Sequence, residues 1–335
     1  HGSANPIGGQ SALVKMRWGA TDQGMLIEGA DGFIKFALGE NVKQSNWGDY
    51  NRVRYPQTRM GVEQVYYDHF IRAREYGAEW AAYKRASSAK GKKAAPAGLA
   101  PRRDLELDCL LEILEKKRFV TCHSYQQGEI NMLMHVADSM GFRLNTFTHI
   151  LEGYKVADKM KAHGAGASSF SDWWAYKVEV KDAIPHNGAL LWENGITVAF
   201  NSDDAEMARR LNQEAAKAVK YGGVPEQEAL KFVTLNPAKL LHLDHRMGSL
   251  KVGKDADIVL WSDHPLSVYA KSDMTFVDGI CYFDAEKDKA MREEIARERA
   301  RLIEKMAAAK SGGGPGRDPA MKGKRYFHCD SLGDR

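Results

Sequence analysis

Three polar residues stand where apolar, strand-like runs end: His123 after Phe119-Val120-Thr121-Cys122, His149 after Leu144-Asn145-Thr146-Phe147-Thr148, and Asp203 after Val198-Ala199-Phe200-Asn201-Ser202. Two imidazoles and a carboxylate suit zinc or a similar divalent ion. If the runs are parallel strands of one barrel, their carboxyl ends share a face and residues far apart in sequence converge there. Each residue alone has a plainer role. A His after a strand serves as a hydrogen-bonded structural group, and Asp203 or Asp204, before a helix from about Ala205, serves as an N-cap. The recurrence at three strand ends favours the metal. Lys35, inside the apolar run Phe33 to Leu38, is a fourth candidate. A buried ammonium is costly, so Lys35 is paired, neutral or modified, or its strand is an edge with Lys35 facing water.

The elements that must position these groups follow from periodicity and turn signals. Gly24 to Glu28 and Gly32 to Gly39 read as strands, and about Gly61 to Tyr83 as a helix on the spacing of Val62, Val65, Tyr66, Phe70 and Ala73. From Leu105 the rhythm is regular: helix to Lys117, strand Arg118 to Cys122, helix Glu129 to Met140, strand Arg143 to Thr148, helix Tyr154 to His163, strand Gly166 to Phe170, helix Ile184 to Glu193 and strand Thr197 to Asn201. Such alternation predicts an α/β fold with parallel strands, in a closed barrel or a doubly wound sheet. No GxGxxG follows any strand, which weakens the dinucleotide-binding version. Helices Met207 to Tyr221 and Pro225 to Val233 come next. Residues 247 to 260 and 274 to 279 then read as short strands of a small β-subdomain.

The chain has 335 residues, 44% of them hydrophobic, enough for one large α/β domain or two ordinary ones. No apolar run approaches the ~18 residues of a membrane span. The charge of +4 makes no case for nucleic acid, and the basic stretch 84 to 103 has no aromatic residue among its charges, so it reads as a solvated loop. Four scattered cysteines, Cys109, Cys122, Cys281 and Cys329, give no paired spacing and leave the compartment undetermined. Residues 285 to 310 read as an exposed helix with a narrow apolar stripe of Met291, Ile295, Leu302 and Met306, followed by a Gly-rich break and a polar tail. The opening His1-Gly2-Ser3-Ala4-Asn5-Pro6 reads as cut from something longer.

Ser202-Asp203 after Gly195 to Phe200, the stretch Leu235-Asn236-Pro237-Ala238-Lys239-Leu240-Leu241, and Met247-Gly248-Ser249-Leu250 leading to Gly253-Lys254-Asp255-Ala256-Asp257 resemble the metal-dependent amidohydrolase superfamily, in the branch of imidazolonepropionase and prolidase-like dipeptidases. The resemblance spans about residues 20 to 284. It implies a (β/α)8 TIM-like barrel, here incomplete, with metal at its carboxyl face and a small β-sandwich subdomain: barrel 1 to 240, β-subdomain 241 to 284, charged helix and tail 285 to 335. His123 matches the metal-binding His of the fifth strand and His149 that of the sixth. Asp203 matches the eighth-strand Asp that binds metal and takes the water proton, and Lys35 resembles the fourth-strand Lys that is carboxylated in binuclear members. The family's first-strand His-x-His pair is absent from this sequence, so it is expected upstream of His1, or the chain is a metal-poor relative.

His149-Ile150-Leu151-Glu152 resembles the sixth-strand motif of the imidazolonepropionase branch, which nominates Glu152 for the substrate. His123-Ser124-Tyr125-Gln126 nominates Tyr125 and lacks the Glu found in many nucleobase deaminases. Trp173, Trp174 and Tyr176 either wall a pocket or pack as core, and Arg209 and Arg210 either hold a substrate carboxylate or stand as exposed helix residues. The resulting expectation is metal-dependent hydrolysis of an amide or peptide C–N bond with one or two divalent ions, zinc first. Asp203 is the general acid and base, and His149 is a ligand or a hydrogen-bond donor to the substrate oxygen. A cyclic-amide hydrolase or deaminase and a non-catalytic barrel module are the alternatives. The partners expected are a small amide or dipeptide and a second copy of the chain, with no nucleic acid or membrane.

Overall fold

The computed structural model describes residues 2–44, 55–88, 98–173 and 175–311. Strand β1 (Ile7–Ser11) and helix α1 (Asp22–Met25) precede β2 (Gly32–Ala37), α2 (Glu40–Lys43) and the long helix α3 (Arg59–Ser88). An alternating series follows: α4 (Leu105–Leu114), β3 (Arg118–His123), α5 (Gln127–Met140), β4 (Leu144–Thr148), α6 (Ala157–His163), β5 (Gly166–Ser169), α7 (Asn187–Glu193) and β6 (Val198–Phe200). Helices α8 (Ala205–Ala208), α9 (Leu211–Gly222), α10 (Glu226–Lys231) and α11 (Leu235–Leu240) lead to β7 (Ile258–Trp261), β8 (Ser272–Val277), β9 (Ile280–Asp284) and α12 (Ala285–Ser311). His1, Trp174, Cys329, residues 89–97 of the basic stretch and the tail from Gly312 lie outside the described residues.

Strands β1 to β6 form one sheet in sequence order; β1 is antiparallel to β2, and β2 to β6 run parallel. Parallel neighbours joined in order by right-handed crossovers keep their helices on one side, which is the barrel solution rather than the doubly wound one. The side chains divide accordingly. Ile34, Phe36, Val120, Cys122, Phe147, Ala167, Val198 and Phe200 join Tyr66, Phe70, Leu110, Ile130 and Leu133 of the helices in one apolar core. The other face carries Lys35 beside Thr121 and Thr146, and His123 beside Thr148 and Ser168, by strand register. Polar residues therefore alternate with core residues, and the polar face is where chemistry is possible.

A separate antiparallel sheet, β7-β8-β9, forms the small subdomain. Its tie to the N-terminal segment is electrostatic. The buried ammonium of Lys15 lies 2.7 Å from Asp255 and 3.0 Å from Asp257 and also contacts Asp278, while Arg17 pairs with Asp278 at 2.7 Å. Burial alone would lower the Lys15 pKa, but the hydrogen bonds that Lys15 donates to three carboxylates outweigh it and raise the value. Hydrogen bonds from Lys15 hold the Asp255 and Asp278 carboxyls below their usual range.

Several expectations change. Gly24 to Glu28 is not a strand: the Thr21 side chain accepts the Gly24 N–H and caps α1, leaving only a single bridge between Val14 and Leu26. Lys35 is not on an edge, because β2 lies between β1 and β3. Strand β1 escaped the sequence reading because it is glycine-rich; Gly8 is needed where a Cβ would meet the Lys35 carbonyl oxygen at 2.8 Å. Helix α7 starts at Asn187 rather than Ile184 because Ile184 precedes a proline. Within 247 to 260 only Ile258–Trp261 forms a strand, since Gly248 and Gly253 turn the chain at φ +85° and +89°.

The joint at Lys15 yields a prediction. Lys15→Met leaves three carboxylates around an apolar end and should lower stability by ~3 kcal/mol, the low end for breaking a buried ion pair because the carboxylates are partly solvated. Urea unfolding of the two proteins measures the difference.

Candidate active site at the carboxyl ends of the strands

His123 is the last residue of β3, and His149 follows the last residue of β4. Their rings lie 5.1 Å apart, both buried. His149 sits at φ +59°, a left-handed backbone that non-glycine residues adopt at a cost of ~1–3 kcal/mol and that clusters at functional sites. Its Nε2 is 3.4 Å from Asp203 Oδ2, and its Nδ1 meets the Asn201 side-chain amide at 3.0 Å. The side chain of Asp203 is about a quarter exposed, at 26%. Asp204 is the one that caps α8, accepting the N–H groups of Glu206 and Met207 at 2.8 and 2.9 Å. The competing N-cap role therefore belongs to Asp204.

Among the described residues His123 Nε2 is buried without a hydrogen-bond partner, and so is Thr148 Oγ1, which belongs to the residue paired with His123 across β3 and β4. Desolvation, then the charges of His149, Lys35 and Lys177, push the His123 pKa well below its usual value. Desolvation, then Lys35 and Lys177, bring His149 down to about 3. Both rings are accordingly neutral at ordinary pH, the state in which imidazole offers a lone pair to a metal. Among the described residues no three of His, Cys, Asp and Glu stand close enough to enclose an ion. The orphaned Nε2, the neutral rings and the Asp203 carboxylate nevertheless fit a divalent metal in donor chemistry.

The other nominated residues divide. Tyr125 packs edge-on against His123 at 4.6 Å, with the Tyr176 hydroxyl donating to its oxygen at 3.3 Å. Trp173 reaches the site through a stack: its ring lies on Phe170 at 4.6 Å, and Phe170 lies on His149 at 4.9 Å. Glu152 is buried and accepts the Gln127 N–H at 3.0 Å in the first turn of α5, a helix-capping contact. Arg209 is 70% exposed and pairs with Glu206 on the surface. Lys35 is half-buried on the polar face two residues before the level of His123.

Sequence reasoning missed three contributors because their roles are purely tertiary. Lys177 lies over the Tyr125 ring at 4.5 Å and pairs with buried Glu179 at 3.2 Å, bringing a second cation to the two imidazoles. Glu179 also accepts the Glu40 N–H at 2.8 Å, fastening the loop after β5 to the first residue of α2. Gly39 makes room for it, at φ +88°, where a Cβ would overlap the Glu179 carboxylate. Asn201 is the third. A cavity of about 750 Å³ lies elsewhere, between β1, α3 and α4, and contains none of the nominated residues.

The candidate site thus lies on the polar face of a barrel-type α/β domain, where two imidazoles stand at strand ends beside a carboxylate. Residues 134–281 match the model of the amidohydrolase family. The chain is 30% identical over 302 residues to amidohydrolase tasK of Hapsidospora irregularis, covering 84% of this chain; the chain spans 30% of that relative's length. It is 27% identical over 135 residues to imidazolonepropionase of Thermoplasma volcanium, covering 40% of this chain and 33% of the relative. Its fold is similar to that of the amidohydrolase of Thermotoga maritima MSB8, with a TM-score of 0.74 at 28% identity over 84% of this chain and 70% of the other. No helix among the described residues is long and apolar enough to cross a membrane.

Two measurements test this site. Both imidazoles titrate below the unfolded value of 6.5, so the metal-free fold is fully stabilised above that pH and loses stability as pH falls towards about 3. Between pH 6.5 and 5 the loss should be about 2 kcal/mol from His149 alone, at 1.36 kcal/mol per unit. Urea unfolding at the two pH values checks it, and equal stabilities would contradict the desolvated rings. Gly39→Ala should cost ~1–3 kcal/mol through its backbone conformation and the overlap with Glu179, read from thermal unfolding.

Proposed function

We propose that the domain hydrolyses an amide or peptide C–N bond in a small substrate, with a divalent metal, most simply zinc, held by His123, His149 and Asp203. The observation that carries this reading is the pair of neutral, buried imidazoles at neighbouring strand ends, one with an unpartnered Nε2, beside a partly exposed carboxylate. Lys35, on the same polar face, is available as a further ligand in carboxylated form. When bound, the metal supplies Lewis acidity, lowering the pKa of a water and polarising a carbonyl.

The chain's own groups account for the rest. Asp203, the most solvated of the three, accepts a proton from the attacking water at a carboxylate oxygen and returns it to the leaving nitrogen; such catalysis contributes ~10²- to 10⁴-fold. Its Oδ2 faces the His149 Nε2 at 3.4 Å, which sets the carboxylate beside the ring. Tyr125, Trp173 and Phe170 wall the site with aromatic surface, and Lys177 adds a cation above Tyr125. Glu152 and Arg209 fit this reading less well as substrate contacts, being engaged in a helix cap and a surface ion pair. The likeness to imidazolonepropionase favours including cyclic amides among the substrates tried.

The experiment is a panel of dipeptides and cyclic amides assayed with wild type and Asp203→Asn, together with metal analysis of both. The expected result is bound divalent metal in the wild type and at least a ~10²-fold loss of turnover in the variant. Undiminished activity of Asp203→Asn on every substrate turned over would remove Asp203 from the chemistry.

A further inference from the structure

His149 is held from both ends. Asn201 Nδ2 donates to its Nδ1 at 3.0 Å, and its Nε2 faces Asp203 Oδ2 at 3.4 Å. Asn201 is itself held at its oxygen, which accepts from the Ser168 hydroxyl at 2.9 Å. An imidazole that accepts at Nδ1 carries its proton on Nε2 when neutral, pointing at Asp203. That tautomer suits a hydrogen bond and blocks Nε2 as a ligand. The opposite tautomer, with Nδ1 protonated and Nε2 bare, needs an acceptor where Asn201 now offers a donor.

Asn201 and Ser168 can supply that acceptor without losing a hydrogen bond. Turning the Asn201 amide over points Oδ1 at His149 Nδ1–H and Nδ2 at Ser168 Oγ. A hydroxyl can accept as well as donate, so the chain of contacts survives with its direction reversed. The ring gives its Nε2 proton to solvent and takes one at Nδ1, so its charge does not change. Neither an aspartate nor a leucine at position 201 allows both states.

We propose that Asn201, backed by Ser168, is a positioning residue that switches His149 between a tautomer donating to Asp203 and a tautomer with Nε2 free to bind metal. This rests on the metal-dependent reading of the site. It concerns contacts behind the ring, which commonly change metal affinity by ~10- to 100-fold.

The test uses the full chain labelled with ¹⁵N-histidine and freed of metal, as wild type, Asn201→Leu, Asn201→Asp and Ser168→Ala. Long-range ¹H–¹⁵N spectra report the tautomer, and calorimetric titration with zinc chloride reports affinity. The metal-free wild type should carry the His149 proton on Nε2 and move it to Nδ1 with zinc. Asn201→Asp, an acceptor only, should hold Nδ1–H without metal and keep zinc affinity within about threefold, rescuing what Asn201→Leu loses by ~10- to 100-fold. Ser168→Ala should fall between them, and it serves as the readout if Asn201→Leu does not fold. A wild-type proton on Nδ1 without metal, or unchanged affinity in both Asn201→Leu and Ser168→Ala, would overturn the switch. A wild type that binds no zinc would overturn the metal reading itself. The metal-free spectrum is recorded separately, so the two failures are distinguishable.

Discussion

The rest of the site depends on keeping two imidazoles uncharged inside the protein. His123 and His149 lie buried at the ends of neighbouring strands, and two lysines stand near enough to disfavour a proton on either ring. Desolvation is the larger contribution in both cases, so the neutral state is a property of the fold and not of a single neighbour. The apolar core on the other side of the sheet holds the strand ends rigid, and the polar face gives the rings partners of limited number.

Strand order produces this arrangement. Since β2 to β6 are parallel and consecutive, their carboxyl ends point the same way, and His149 stands beside both His123 and Asp203 although 80 positions separate those two. The loop after β5 then folds back over the rings. Its Phe170 stacks on His149 and Trp173 on Phe170, and its Glu179 reaches across to the first residue of α2. The candidate site is thus built from strand ends and covered by a loop fastened to a distant helix.

Much of this was legible in the sequence, for a physical reason. Regular alternation from Leu105 to Asn201 and polar residues at the ends of apolar runs are local signals, and they located β3 to β6 along with His123, His149 and Asp203. What escaped depends on contacts between distant segments. Strand β1 has two glycines at its centre and no strand-like composition, and it exists because Gly8 fits against the backbone of Lys35. Lys177, Glu179 and Asn201 act only through partners on other elements, as does the capping contact that occupies Glu152. The choice between Asp203 and Asp204 also needed coordinates, because either carboxylate could have capped the following helix.

The joint at Lys15 has a consequence of a different kind. Lys15, Arg17 and Arg246 face Asp255, Asp257 and Asp278, three cations against three anions, so the cluster is electroneutral as well as directional. The apolar core answers to temperature and denaturant, whereas partly solvated ion contacts answer to dissolved salt, whose screening length is ~8 Å at physiological strength. The two parts of the molecule are therefore governed by different solution variables. Ionic strength acts on how firmly the small sheet is tied to the N-terminal segment, while the strand ends that carry the imidazoles are insulated from it by their own burial.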